Sequence, residues 1–304
     1  MPEWVQSARE ILFRAGIADR GWGYRLGAAP AVEPTVLACL SLLATEPHPP
    51  QDRTSRTIAA ACGWLASIQA SDGSVGVAPG IPQPDWTTAY ALLLWSTQKG
   101  FESQRRRAVE RLLDVEGLAF PKGEDPVGHD TSLVGWPWVA GTHSWLEPTS
   151  MAVLALQREG QKSHPRLQEG LKVIRDRALP TGGWNYGNTS AFGNMLRAQP
   201  GPTGHALLAL AGLEPEGPII DRAVDYLHAS LPGTRAPRSL GWGLLGLSAW
   251  GRMPQVAEEW LAEAHAPLVK RREPPYLLAM LLLAAGKEQT LQVLGVGAKE
   301  QIAN

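Results

Sequence analysis

The sequence predicts an all-α protein: a ring of helical hairpins, with an inner barrel of six helices wrapped by six outer ones. Three observations carry that prediction. A short phrase, Gly-Trp followed later by Pro-Thr and an Ala/Leu-rich run, returns at intervals of about 35 to 60 residues, which marks one supersecondary unit used many times. Helical text alternates between segments that are apolar all round and segments that are amphipathic and charged. No stretch shows the sustained period-two alternation of a strand.

The phrase first reads Gly21-Trp22-Gly23-Tyr24, then Glu33-Pro34-Thr35. A second copy is Gly135-Trp136-Pro137-Trp138 with Glu147-Pro148-Thr149, and a third is Gly183-Trp184-Asn185-Tyr186 with Gly201-Pro202-Thr203. Asp85-Trp86-Thr87 is a further copy without its Gly-Trp, and Gly241-Trp242 extends the series. The apolar inner helices follow: Pro34–Thr45, Trp86–Gln98, Pro148–Arg158, Pro202–Leu213, Ser239–Trp250 and Pro274–Ala285. Proline suits their first turn, where its missing N–H would have no helical partner. The outer helices are Glu3–Ala15, Arg53–Gln69, Ser103–Val115, Pro165–Ala178, Pro218–Ala229 and Pro254–His265. In the fifth, the apolar positions between Ile219 and Leu227 fall at three-to-four spacing. Two long connections, Glu116–Leu146 and Thr181–Gln199, each lead into an inner helix and are expected at one mouth of the barrel.

A repeat running from Gly21 to Trp242 argues for one continuous domain over residues 1–304. Net charge is −1 and pI is 6.7, and the basic runs Arg105–Arg107 and Lys270–Arg272 are short and lack interleaved aromatics, so no nucleic-acid partner is expected. Cys39 and Cys62 lie in apolar helical text and read as buried thiols of a reducing compartment. Met1–Val5 shows no basic or apolar leader, so a cytoplasmic location is expected. The longest apolar run, Tyr276–Gly286, is far short of the roughly 20 residues that span a bilayer. It reads as a buried helix, with a helix lying on a membrane surface as the alternative. Tryptophan outnumbers tyrosine and phenylalanine, 12 against 5 and 4, and sits mostly in the loop phrases, which suggests that it walls a surface between helices instead of filling a core.

Gln69-Ala70-Ser71-Asp72-Gly73-Ser74-Val75, preceded by Trp64-Leu65, resembles the Gln…Asp-Gly-x-Trp repeat of the squalene–hopene cyclase and protein prenyltransferase β-subunit superfamily, with Val75 in the Trp position. The Gly-Trp phrases resemble degenerate copies of the end of that repeat. The resemblance implies an (α/α)₆ toroid whose central cavity holds isoprenoid chains against aromatic walls. It implies the reaction far less, because the Asp-x-Asp-Asp of class II terpene cyclases, the Asp-x-Cys zinc pair of protein prenyltransferases and the Gly-Cys-Gly-Glu-Gln thioester of complement-type relatives are all missing.

Glu33, Asp85 and Glu147 stand just before inner helices in three repeats and are expected to converge at one mouth. The plainer alternative is an acid at a helix start, stabilised by the dipole by about 0.3–1 kcal/mol. Asp85 and Glu147 are candidate acid or base, with His143 as proton partner. Within Gly135–Glu147, Trp136, Trp138 and Trp145 offer ring faces that attract cations by about 0.5–2 kcal/mol each; packing of repeat against repeat is their other reading. Trp22, Tyr24, Glu33, Trp86, Trp184, Tyr186, His205 and Trp242 complete the candidate binding set. Asn185, Asn188 and Asn194 either join that rim or cap turns. His129, Asp130, His143 and His205 have no local ligand spacing, so neither a metal nor another cofactor is expected. The reading that follows is a toroid that handles an isoprenoid or other elongated apolar molecule by cyclisation, isomerisation or prenyl-type chemistry. Its rivals are a non-catalytic binding toroid and a carbohydrate-active (α/α)₆ enzyme with paired carboxylates.

Overall fold

The computed structural model describes residues 1–17, 20–47, 52–121, 128–271 and 274–297. Thirteen α-helices run through the described residues. The outer layer is α1 (Glu3–Ala15), α3 (Asp52–Ile68), α5 (Glu102–Asp114), α7 (Pro165–Asp176), α9 (Pro218–Ser230) and α11 (Ala257–Arg271). The inner layer is α2 (Val32–Ala44), α4 (Thr88–Trp95), α6 (Leu146–Arg158), α8 (Pro200–Leu210), α10 (Pro237–Ala249) and α12 (Pro275–Ala285). Each inner helix packs on the next, and α12 packs back on α2, so the ring closes. The fold is an (α/α)₆ toroid.

The inner helices are apolar all round because each is covered on every side, by two ring neighbours, an outer helix and the ring interior. All eight residues of α4 are buried, as are twelve of the thirteen in α2. Outer helices bury one stripe, as Ile220, Ala223, Val224 and Leu227 do in α9. The closest approach in the ring, between α8 and α10, is made through glycine. A Cβ on Gly204 would lie 2.0 Å from the Trp242 carbonyl oxygen, and one on Gly246 would lie 2.7 Å from Gly204 Cα.

The recurring Gly-Trp and Pro-Thr phrase is a structural stitch. The Trp22 backbone N–H donates to Thr35 Oγ1 at 2.9 Å, the Thr35 hydroxyl donates back to the Trp22 carbonyl, and the Trp22 indole N–H donates to the Leu12 carbonyl of α1 at 2.8 Å. Trp136 repeats this with Thr149 and Leu112, and Trp184 with Thr203 and Ile174. Each stitch ties the end of an outer helix to the start of the next inner helix, and each bond contributes about 0.5–1.5 kcal/mol net. Trp22, Trp136 and Trp184 are therefore buried inside the wall, which corrects their assignment to a ligand surface. Trp242 is not in a loop phrase at all; it lies within α10.

The starts of α2, α6, α8 and α10 precede expectation by two residues, whereas α4 starts two residues later than expected and α12 one later. Pro34, Pro148 and Pro202 are the third residues of α2, α6 and α8, still within the first turn where a missing N–H costs nothing. Two elements were not anticipated. Residues Ser190–Ala191 (β1) and Asn194–Met195 (β2) pair as a small antiparallel hairpin, with Phe192 at its tip in the left-handed region (φ 51°) and fully exposed. After α12 the chain bends by 104° into α13 (Lys287–Leu294), which packs on α2, α6 and α10 and closes the end of the barrel where the inner helices finish. No single helix among the described residues is long and apolar enough to cross a membrane.

Candidate functional site

Because every inner helix starts at the same end, their first turns form one mouth. The second residues of α2, α6, α8, α10 and α12 are Glu33, Glu147, Gly201, Arg238 and Tyr276. In the α4 repeat the stitch is split: Thr88 Oγ1 accepts the Val75 N–H, while Thr87 donates to the Val75 carbonyl. Thr88 thus holds the place of Thr35 and Thr149, which puts Trp86, not Asp85, at the mouth position.

Arg238 reaches across the ring to two helices that are not its neighbours. Its Nη1 donates to Glu33 Oε1 at 3.2 Å, and its Nη2 to Glu147 Oε1 and Oε2 at 2.8 and 3.1 Å. The Tyr24 hydroxyl donates to Glu33 Oε2 at 2.7 Å, and the Tyr90 hydroxyl approaches Glu147 Oε1 at 3.5 Å. Both carboxylates are almost fully buried, with 5% and 4% of their side chains exposed, whereas 41% of the Arg238 side chain is open to solvent. Desolvation raises the pKa of both acids, and Arg238 pulls the other way. The two anions in turn hold the Arg238 guanidinium firmly charged, despite its own burial.

One helical turn deeper, Tyr90, His205 and Trp242 fill the inside of the ring and are buried. His205 packs on Trp242 with the rings tilted by 36° and centroids 4.1 Å apart, and its Nδ1–H donates to the Gly201 carbonyl at 3.0 Å. That bond fixes the tautomer and leaves a lone pair on Nε2, which faces Glu147 Oε1 at 3.8 Å and has no hydrogen-bond partner among the described residues. Burial, reinforced by the Arg238 charge, pushes the His205 pKa down to about 3, so the ring is neutral. Around the rim, Tyr24 meets Tyr276 edge-on at 5.7 Å, and Trp86 meets Trp138 at 4.7 Å and Tyr90 at 5.5 Å.

The structure thus brings together Glu33, Glu147, Tyr24 and His205, with Trp242 packed beneath and Trp86 and Trp138 paired with each other at the mouth. It does not bring Asp85 to them. Both Nε and Nη2 of Arg111 donate to Asp85 Oδ2, at 2.9 and 2.8 Å, in a buried link to α5. His143 is exposed and packs on Phe120 at 5.3 Å; the Glu147 carboxylate has Arg238, Tyr90 and His205 around it instead. Trp145 is half-buried beside Gly187 and lines a separate cavity of about 140 Å³ with His129, His143 and Arg177. Tyr186 is exposed, and only its carbonyl is engaged, by the Leu146 N–H. No group of three or more His, Cys, Asp or Glu among the described residues could hold a metal ion.

Sequence reasoning missed Arg238, Tyr90 and Tyr276. The signal for Arg238 was present: it precedes the fifth apolar segment as Glu33 and Glu147 precede theirs.

No protein-family model matches the sequence, and no curated protein matches it. Solved structures do. A protein from Actinoplanes is 15% identical at a TM-score of 0.62, over 96% of this chain and 99% of that one. A type II terpene cyclase from Scytonema is 18% identical at 0.58, over 90% of this chain and 79% of that one. A glycoside hydrolase family 76 mannosidase from Bacteroides thetaiotaomicron is 10% identical at 0.60, over 95% and 98%. The likeness is one of fold. It places the chain among (α/α)₆ toroids and stops there.

Proposed function

We propose that this protein is a binding toroid that works from its mouth, with no reaction inside the barrel. The observation that carries this reading is the filled interior: Tyr90, His205 and Trp242 occupy the space where an elongated apolar chain would lie, and α13 closes the far end. An isoprenoid-handling enzyme of the kind found among the structural neighbours needs a deep apolar cavity for its substrate. The chemistry at the mouth supports the same reading, because Glu33 and Glu147 are shielded from solvent and bridged by Arg238. Neither can act on a substrate as acid or base until that guanidinium moves.

The mouth also carries the surface a partner would use. Tyr24, Leu26, Ile81, Val139, Tyr186, Phe192 and Met195 are exposed, and all lie on connections that lead into inner helices. Exposed apolar side chains gathered on one face mark a binding surface.

A carbohydrate-active reading has one observation in its favour, the two carboxylates held within the span of one guanidinium, and the family 76 neighbour keeps it in play. One experiment separates the readings: incubate the wild type and Glu147→Gln with polyprenyl substrates and with an oligosaccharide panel, and follow product by mass spectrometry. The binding reading expects no product from either protein. Turnover by the wild type that Glu147→Gln abolishes would overturn it.

A further inference from the structure

We propose that the mouth receives an organic cation carrying N–H donors, a primary ammonium above all, and that Arg238 occupies the position such a ligand takes. This rests on the reading of the mouth as a binding face. The polar floor is rich in acceptors, and Arg238, Tyr24 and Tyr90 are the donors that meet its carboxylates. Two buried carboxylates share one guanidinium, and a single Nη2 serves both oxygens of Glu147. A third acceptor, His205 Nε2, belongs to a residue 2% exposed, has no hydrogen-bond partner among the described residues and lies 3.8 Å from Glu147 Oε1.

The geometry of that pair defines what is missing. Two acceptors 3.8 Å apart cannot bond to each other, yet one donor nitrogen about 2.9 Å from each satisfies both. An ammonium has three N–H groups and no acceptor, so it can serve His205 Nε2 and Glu147 together and keep an N–H for a further acceptor. The rim supplies the rest of the recognition. Tyr24 and Tyr276 on one side, and Trp86 and Trp138 on the other, present aromatic surface to the stem of the ligand, and ring faces attract cations.

Arg238 can yield the place. Its side chain is 41% exposed, on a flexible stem anchored in the first turn of α10, whereas both carboxylates are buried beneath it. Displaced, the guanidinium turns outward into water and the ligand takes over its charge.

The test is calorimetric titration of the wild type with hexylamine, with hexanol as neutral control and hexyltrimethylammonium as a cation without N–H donors. Hexylamine is expected to bind one per chain, and the two controls at least tenfold more weakly. Arg238→Ala should tighten hexylamine about tenfold by removing the internal competitor, and Glu147→Gln and His205→Phe should each weaken it by a similar factor. A leucine-flanked lysine peptide, run alongside, distinguishes a lysine side chain from a free amine as the source of the head group. Equal binding of all three small molecules, no binding of hexylamine or the peptide, or an Arg238→Ala variant that binds no better than wild type would overturn the proposal. If Glu147→Gln fails to fold, the wild-type series and Arg238→Ala still decide it. Amine binding together with turnover in the preceding assay would refute the non-catalytic reading and leave this one standing. Absence of both refutes this one alone.

Discussion

Replacing Arg238 with Met removes the cation that two buried carboxylates share, while keeping much of the length and the apolar stem of the side chain. Breaking a buried ion pair by removing one partner typically costs about 3–5 kcal/mol. Arg238 is itself 41% exposed, so solvent screens part of that loss, and a cost of about 2–3 kcal/mol is expected. For a chain of 304 residues, with an unfolding entropy of about 2.1 cal/mol/K per residue, that lowers the melting temperature by about 3–5 °C. The loss should depend on pH in a definite direction. Without the guanidinium, desolvation of Glu33 and Glu147 is opposed only by the Tyr24 and Tyr90 hydroxyls, and their pKa values rise further above the ordinary carboxylate range. An acid whose pKa is raised on folding stabilises the protein below its unfolded pKa and loses that contribution as pH rises through the folded value. Arg238→Met should therefore recover stability between pH 7 and pH 5 relative to wild type. Calorimetric melts at the two pH values measure both effects. An Arg238→Met protein that melts with the wild type at pH 7, or whose deficit is the same at pH 5, would refute the reasoning.

His205 sets the opposite slope, because its pKa is depressed on folding: its contribution is present above about 6.5 and lost as pH falls toward 3. Denaturant melts of His205→Gln should show stability relative to wild type growing below pH 6.5, by up to about 1.4 kcal/mol per pH unit; a pH-independent difference would contradict this. Thr149→Val should cost about 1–3 kcal/mol by stranding the buried Trp136 N–H, measurable by the same melts, with no loss expected at the mouth. Gly204→Ala should destabilise by about 3 kcal/mol or more, since its Cβ would sit inside the Trp242 carbonyl contact between α8 and α10, and an unchanged melting temperature would count against the close helix approach.

The ring itself was legible in the sequence because burial on all sides leaves a mark that burial on one side does not: α2, α4 and α12 are nearly free of charge. The Gly-Trp repeat was legible as a repeat, but its purpose was not, since one sequence phrase suits a tryptophan facing a cavity and a tryptophan whose indole N–H bonds to the neighbouring helix. Glu33 and Glu147 were found through their shared position before apolar helices. Asp85 shared the letters of that position but not the register, because the α4 repeat divides its stitch between Thr87 and Thr88. Arg238 shared the position of Glu33 and Glu147, but its role was hidden, because its charge joins α10 to α2 and α6, two helices distant in sequence, and no local pattern encodes a contact across the ring. The same holds for α13, whose role depends on a bend that only packing against three other helices fixes.

The central claim is that the barrel interior is occupied by the protein's own side chains and that ligands are met at the mouth. Native mass spectrometry of protein purified without detergent, followed by solvent extraction of the same sample, tests it most directly. The expected result is a mass equal to the polypeptide and no stoichiometric isoprenoid or other elongated apolar molecule in the extract. An apolar ligand retained at about one per chain, and released when Tyr90, His205 or Trp242 is altered, would contradict it.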